Sequence, residues 1–154
     1  MNLPSYRQEA FIDFSKEEHV KRLQEAFQKV EANFGQYASM IIDGKQVDRK
    51  ETFVSINPNQ PSQIIGRYPI GTTEDVDRAV EAAERAFASW KRVPAVDRAA
   101  LCAHLASLFR KYRYELIALI VLEVGKSWEE ADAEVAEGID HFEYIAREML
   151  RYAK

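Results

Sequence analysis

One thiol and three imidazoles are the side chains of this sequence with the greatest capacity for nucleophilic or metal chemistry. The thiol is Cys102, and the histidines are His19, His104 and His141. A cysteine becomes a nucleophile when a base or a cationic neighbour stabilises its thiolate. His104 lies two residues from Cys102, a spacing that puts the two side chains on different faces of a helix. We therefore interpret Cys102 as a packing residue, and no histidine spacing is typical of a zinc site.

Acidic side chains are concentrated in residues 123–143, where eight acids accompany one base. A carboxylate-bridged metal pair needs Glu-x-x-His motifs on facing helices, but Gly138 stands three residues before His141. We interpret this region as a solvated acidic helix face. Residues 78–114 carry eight bases against three acids. Helices from the two stretches would attract each other if they were neighbours, although exposed ion pairs are individually weak.

Phosphate and nucleic-acid recognition have little support in the sequence. The six glycines are scattered, whereas phosphate-binding loops need closely spaced glycines after a strand. Residues 110–114 mix bases with aromatics, as nucleic-acid binders do. The chain nevertheless carries a net charge of −4, which opposes binding to phosphate. We predict no nucleic-acid partner.

Length and composition favour one globular domain. The chain has 154 residues, of which 47% are hydrophobic and 30% charged, an ordinary balance for a soluble protein. Its longest apolar stretch, residues 116–122, is far shorter than the ~20 residues that span a bilayer. The N-terminus lacks a signal-peptide pattern, and a single cysteine fits a reducing compartment. We therefore expect a cytoplasmic protein with no membrane partner.

The elements that position these side chains are mostly helical. A small antiparallel β segment is predicted for residues 39–70, with Asp43-Gly44 as a tight hairpin turn. Periodic apolar residues predict four main helices. Their boundaries are marked by two capping boxes, Ser15 with Glu18 and Ser127 with Glu130, by Thr72 or Thr73, and by Gly35 and Gly125. The later helices are expected to pack through Phe87, Leu105, Leu116, Val135 and Phe142. The predicted fold class is α+β.

A series of ordered segments resembles the aldehyde dehydrogenase superfamily over about residues 15–152. The segments are Ile41–Lys45, Ser55–Pro58, Ile65–Arg67, Ala79–Trp90, Asp97–Arg98 and Leu122–Lys126. Residues 130–144 are most similar to the Δ1-pyrroline-5-carboxylate (L-glutamate γ-semialdehyde) dehydrogenase branch. This resemblance implies the N-terminal part of an aldehyde dehydrogenase-like fold, with the chain, residues 1–154, forming one incomplete domain.

The same resemblance implies an enzyme that oxidises glutamate semialdehyde to glutamate with NAD, in proline degradation. The family's nucleophile, base and cofactor-binding glycine turn fall beyond Lys154. We therefore predict no catalytic, cofactor-binding or metal-binding residue in this chain, no NAD bound by the chain alone, and no activity by itself. An alternative is a non-catalytic interaction module derived from the same family. An unrelated helical bundle with accidental similarity is a third.

Glu137 is the one functional residue that the resemblance carries over. The matching glutamate of this branch lies near the amino group of the substrate, and a carboxylate facing an ammonium ion forms a charge-assisted bond. The alternative is that Glu137 is one more surface acid.

The resemblance also implies an apolar surface that has lost its cover. We expect self-association, or binding to the remainder of a dehydrogenase, through an exposed apolar patch. Its candidates are Phe53, Ile64, Ile65, Tyr68, Leu119, Val121, Tyr144 and Met149.

Overall fold

The computed structural model describes residues 3–153, which contain five helices and five strands. The elements are α1 (Glu17–Glu31), β1 (Gln36–Tyr37), β2 (Met40–Ile42), β3 (Lys45–Val47), β4 (Thr52–Asn57), β5 (Gln60–Pro69), α2 (Thr73–Trp90), α3 (Ala95–Lys111), α4 (Arg113–Val124) and α5 (Trp128–Tyr152). They form two compact units, and the second unit, Asn33–Val93, interrupts the first along the chain. Over the described residues, no helix is long and apolar enough to cross a membrane. The predicted α+β, mostly helical fold class is confirmed.

The strands of the second unit form two small sheets. β2 and β3 make the predicted hairpin, in which Asp43 and Gly44 adopt φ values of 55° and 71°. β4 pairs with β5 in antiparallel fashion, and β1 adds a two-residue parallel pairing on the other edge of β5. The β segment is therefore confirmed, although it begins at Gln36 and is not wholly antiparallel. All the strands that the structure describes lie between residues 36 and 69.

The start of α2 is fixed by a capping box. The Thr72 side chain accepts from the backbone N–H of Asp75, whose carboxylate in turn accepts from the Thr72 backbone. Asp75 is buried, and Nε of Arg49 donates to its Oδ2 at 3.0 Å. The backbone hydrogen bond from Thr72 and the hydrogen bonds from Arg49 lower the pKa of the Asp75 carboxyl, although desolvation opposes them. This Thr72 cap confirms one of the two predicted start points.

An apolar face of α2 is exposed. Its large side chains are Val76, Val80, Phe87 and Trp90, which are 60%, 54%, 58% and 44% exposed. α2 buries a different side, represented by Ala82, and lies against β2. The prediction that Phe87 packs in the helical core is therefore wrong.

The core of the first unit lies between α1, α3, α4 and α5. Leu23, Ile117 and Ile139 are fully buried in it, and Val135 is 3% exposed. The packing predicted for Val135, Leu116 and Phe142 is confirmed, since the last two contact this core. Leu105 is 39% exposed, so its predicted burial is wrong.

The predicted long third helix is divided into α3 and α4. Tyr112, with φ −102° and ψ 18°, leaves the helical conformation between them, so there are five helices instead of four. After the break α4 begins at Arg113, whose side chain donates to Asp132. Gly125 ends α4 in the left-handed conformation, as predicted.

The two capping boxes predicted outside α2 have different outcomes. Ser127 and Glu130 form theirs at the start of α5. Ser15 does not cap α1, because its backbone N–H and its hydroxyl donate to Oδ1 of Asp13, at 3.1 Å and 2.6 Å. α1 begins after Lys16, which makes no side-chain cap.

The side chains predicted for an apolar patch differ in exposure. Phe53 and Tyr144 are 52% and 53% exposed. Ile65 is 6% exposed because it lies on the central strand β5, so its candidacy is wrong. The partly buried candidates are Ile64, Tyr68, Leu119, Val121 and Met149.

Candidate functional site

The candidate substrate-binding residue, Glu137, lies on an exposed face of α5. Its side chain is 68% exposed, and its Oε1 atom lies 3.7 Å from Nε2 of His141, one helical turn further along. Glu137 also borders a surface depression of about 270 Å³ that is lined by Asp140. A carboxylate in this position can accept hydrogen bonds from an ammonium group. The structure leaves Glu137 accessible to a ligand, and its role in substrate binding stays a prediction.

The opposite wall of this depression is formed by residues 4–12, which we call the N-terminal strap. The lining residues are Gln8 and Phe11 of the strap and Ala133, Ala136, Glu137 and Asp140 of α5. The strap contains neither helix nor strand. Its position therefore depends on the contacts that its backbone and side chains make with the helices.

Two carboxylates of α5 bind the backbone of the strap. Oδ1 of Asp140 accepts from the N–H of Glu9 at 2.8 Å. Oδ2 of Asp132 accepts from the N–H of Ile12 at 2.7 Å. Hydrogen bonds to ionised acceptors are roughly twice as strong as neutral ones. These bonds fix the strap along the stretch of α5 that carries Glu137.

A buried ion pair lies beside the inner end of the strap. The side chains of Asp132 and Arg113 are 1% and 10% exposed, and Nε of Arg113 donates to Oδ1 of Asp132 at 2.7 Å. Nη2 of Arg113 also donates to the carbonyl oxygen of Ala10 at 2.9 Å. A buried ion pair is tolerated when further hydrogen bonds satisfy its polar groups. The strap backbone supplies such bonds to both members of the pair.

A second ion-pair network connects the strap, α3 and α5. Arg110 donates from Nε to Oε2 of Glu9 at 2.9 Å and from Nη1 to Oε1 of Glu143 at 2.6 Å. Nη1 of Arg147 donates to Oε2 of Glu143 at 2.5 Å. Desolvation opposes ionisation of Glu143, but the hydrogen bonds from Arg147 and Arg110 outweigh it and lower the pKa of this carboxyl. The attraction expected between the basic and acidic stretches is therefore observed between α3 and α5.

Cys102 and His19, two further side chains that could do nucleophilic or metal chemistry, make no contact with Glu137 among the residues that the structure describes. Cys102 is a free, partly buried thiol on α3. Nδ1 of His19 lies 2.6 Å from the hydroxyl oxygen of Tyr114, between α1 and α4. Across residues 3–153, no group of three or more His, Cys, Asp or Glu side chains could hold a metal ion. Gly44 and Gly125, which have positive φ, serve a hairpin and a helix end. We find no dinucleotide cradle among the described residues.

The strap is the part of the site that sequence reasoning missed, because residues 1–14 carry no periodic pattern. Glu9 is 131 residues from Asp140, and no local rule connects positions so far apart. The segregation of charge was the one available signal. It indicated that helices from the basic and acidic stretches would attract each other if they were neighbours, but it named no individual pair and did not include Glu9.

Comparisons with known proteins place this architecture among aldehyde dehydrogenases. The aldehyde dehydrogenase family profile matches residues 45–154. The 1-pyrroline-5-carboxylate dehydrogenase of Staphylococcus haemolyticus is 39% identical over 148 residues, which are 96% of this chain and 29% of that protein.

Solved structures give the same result. The R100A mutant of Thermus thermophilus 1-pyrroline-5-carboxylate dehydrogenase matches with a TM-score of 0.95 and 42% identity, over 99% of this chain and 30% of that one. The Thermus enzyme with bound NAD matches with a TM-score of 0.95 and 41% identity, over the same shares. The chain thus spans less than a third of the length of these relatives.

Proposed function

Because the chain belongs to the aldehyde dehydrogenase family, we propose that it is the N-terminal segment of an NAD-dependent L-glutamate γ-semialdehyde (Δ1-pyrroline-5-carboxylate) dehydrogenase. The observation that carries this proposal is the match of 96–99% of the chain to enzymes of that name. Its biological role is then the oxidation of glutamate semialdehyde to glutamate during proline degradation. We also place it in the cytoplasm, because its one cysteine can form no internal disulfide.

The chain contributes a substrate-binding residue to the complete enzyme and none of its catalytic groups. Aldehyde oxidation in this family needs an activated thiolate, a base and a bound nicotinamide, which accepts the hydride. The six glycines of the sequence are scattered, whereas a dinucleotide-binding turn needs closely spaced glycines after a strand, so we assign the NAD site, the nucleophile and the base to the remainder of the complete enzyme. Residues 1–154 are then one incomplete domain, and Cys102 is a packing residue.

Glu137 is the residue through which this segment recognises the substrate. Its carboxylate is accessible at the depression between the strap and α5. The substrate carries an α-ammonium group, which would donate to this carboxylate and so place the amino-acid end of the molecule. The bond selects glutamate semialdehyde over aldehydes that lack the ammonium group.

The remainder of the dehydrogenase is also the partner that we propose for the exposed apolar face of α2. Val76, Val80, Phe87 and Trp90 form a stripe on that helix. Apolar surface of this kind marks an interaction site. When the remainder is missing, the same face supports self-association.

A chimeric enzyme tests the proposal. The chain replaces the matched first 30% of the Thermus thermophilus enzyme, and NADH formation is followed with glutamate semialdehyde and with glutaric semialdehyde, which lacks the ammonium group. We expect an active chimera that prefers the amino-bearing substrate. A well-folded chimera with no activity on either aldehyde would contradict the proposal.

Substitutions in the chimera separate the role of Glu137 from that of a surface acid. Glu137→Gln should reduce kcat/KM for glutamate semialdehyde by about 10- to 100-fold, as expected for the loss of a charged hydrogen bond of ~1.5–3 kcal/mol. It should leave kcat/KM for glutaric semialdehyde unchanged. The matched control is Glu148→Gln, on the same helix, which should affect neither substrate. Equal losses on both aldehydes would assign Glu137 a structural role.

The partner surface has its own test. The chain is mixed with the separately produced remainder of the Thermus enzyme, and complex formation is measured by sedimentation. Phe87→Asp should weaken the complex and also self-association of the chain alone. Ala86→Asp, one residue away on another side of α2, is the control. Equal binding by the two variants would exclude this face as the docking surface.

A further inference from the structure

We infer that the N-terminal strap is an electrostatically latched wall of the depression beside Glu137 on α5, and that its outer part opens without unfolding of the helical core. The latch consists of bonds between strap backbone and charged side chains of the helices. Besides the bonds of Asp132 and Asp140, Nε of Arg147 donates to the carbonyl oxygen of Pro4 at 2.9 Å. Charged side chains of the helices thus bond to two N–H groups of the strap and to two of its carbonyl oxygens.

Apolar anchoring of the strap is confined to its inner end. Ile12 packs against the buried core cluster. Phe11 and Tyr6, in contrast, are 64% and 40% exposed. Tyr6 contacts the ring of Tyr144 edge-on, with centroids 5.9 Å apart, but Tyr144 is itself 53% exposed. Segments with few buried apolar contacts open locally at low free energy. The outer part of the strap therefore depends on charge more than on packing.

The two ends of the latch differ in their accessibility to salt. At the outer end, the side chains of Arg110 and Glu9 are 40% and 17% exposed where they pair. At the inner end, Asp132 is 1% exposed. Salt screens exposed charges and affects buried pairs much less. Opening should therefore begin where Glu9 pairs with Arg110 and should stop at Ile12, which is bonded to Asp132. The moving part is then the stretch of the strap that precedes Ile12.

Opening of the outer strap would change the site beside it. Gln8 and Phe11 supply one wall of the depression at Glu137. Removing that wall exposes the α5 face and frees Asp140 from the N–H of Glu9. The relevance of this motion to substrate entry rests on the proposed function, whereas the opening itself does not.

Amide hydrogen exchange on the full chain, resolved by residue with NMR, tests the latch. Wild type is compared with Asp140→Ala, which removes the acceptor of the Glu9 N–H. The matched control is Glu148→Ala, which removes a carboxylate of α5 that pairs with Arg151. Each protein is measured at low salt and in 1 M NaCl, where the Debye length is about 3 Å.

We expect Asp140→Ala to accelerate exchange at the Glu9 amide by about tenfold or more, as expected for the loss of a charged hydrogen bond. Exchange at Ile117 and Ile139 should stay within about twofold of wild type. In wild type, 1 M NaCl should accelerate the Glu9 amide more than the Ile12 amide. Unchanged exchange at Glu9, or equal acceleration at Glu9 and in the core, would overturn the latch. Because no activity is measured, an inactive chimera would not alter this result.

Discussion

Neutralising Asp132 should destabilise the chain more than any change at an exposed charge. Asp132→Asn keeps the size of the side chain but removes the charge that faces Arg113, whose side chain is 10% exposed. Breaking a buried pair in this way costs about 3–5 kcal/mol, because the remaining charge is left without compensation. Here Oε1 of Glu9 lies 3.4 Å from Nη1 of Arg113 and offsets part of the loss. We therefore expect a loss of about 3 kcal/mol in the free energy of unfolding.

Urea unfolding followed by circular dichroism measures this loss. With an m value of about 2 kcal/mol/M, 3 kcal/mol corresponds to a midpoint shift of about 1.5 M. A double variant, Arg113→Met with Asp132→Leu, should lose less than Asp132→Asn, since no buried charge is left unpaired. Glu148→Gln, at a more exposed pair, should shift the midpoint much less than Asp132→Asn does.

Two results would refute this reasoning. A loss below about 1 kcal/mol for Asp132→Asn would mean that solvent or Glu9 compensates Arg113 completely. A double variant that is less stable than the single one would mean that the unpaired charge of Arg113 is not the main cause of the loss.

The remaining predictions concern a titration, a helix contact and the activity of the chain. The pKa of Glu143 is lowered, so its ion pairs stabilise the fold above the ordinary pKa, near 4.5. This stabilisation disappears as the pH falls through the lowered value. Glu143→Gln should therefore flatten the acid limb of a plot of stability against pH, and an unchanged limb would contradict this prediction. A Cβ at Gly138 would lie 3.0 Å from Cε1 of Phe109. Gly138→Ala should therefore stabilise the fold by up to ~1 kcal/mol when Phe109→Leu makes room for it, and by less in the wild-type background. Thermal unfolding of wild type, the two single variants and the double variant would show this difference. The isolated chain should form no NADH from glutamate semialdehyde above a buffer blank; NADH formation that Cys102→Ala abolishes would contradict the packing role of this thiol.

Local chemistry explains the parts of the fold that the sequence predicted correctly. Asp43-Gly44 demands positive φ values, Thr72 caps the start of α2, and the capping box of Ser127 and Glu130 uses residues three apart. These turn and cap signals act between residues close in sequence, so they can be recognised without the tertiary structure. The predicted capping box of Ser15 with Glu18 was wrong, because the nearby carboxylate of Asp13 accepts the hydrogen bonds of Ser15 instead. The break at Tyr112 was missed because the apolar periodicity continues across it.

The candidate site was only half visible in the sequence. Glu137 came from a resemblance, and its place on an acidic face of α5 agreed with the charge pattern. The wall provided by Gln8 and Phe11 was not predictable, because it is created by bonds between residues more than a hundred positions apart. Hydrogen bonds between distant segments, and not local propensity, determine where the strap lies.

The interrupted first unit has a consequence for how the chain is made. Leu23 and Ala26 of α1 are buried in a cluster with Ile117 of α4, but α1 ends at Glu31 and α4 begins at Arg113. At about 5–20 residues per second, a ribosome needs about 4–16 s to synthesise the intervening 81 residues. Throughout that interval the apolar side of α1 lacks its partner helix α4, while the second unit, a continuous stretch, is completed first. The nascent chain thus exposes the amphipathic helix α1 to chaperones before the core of the first unit is complete.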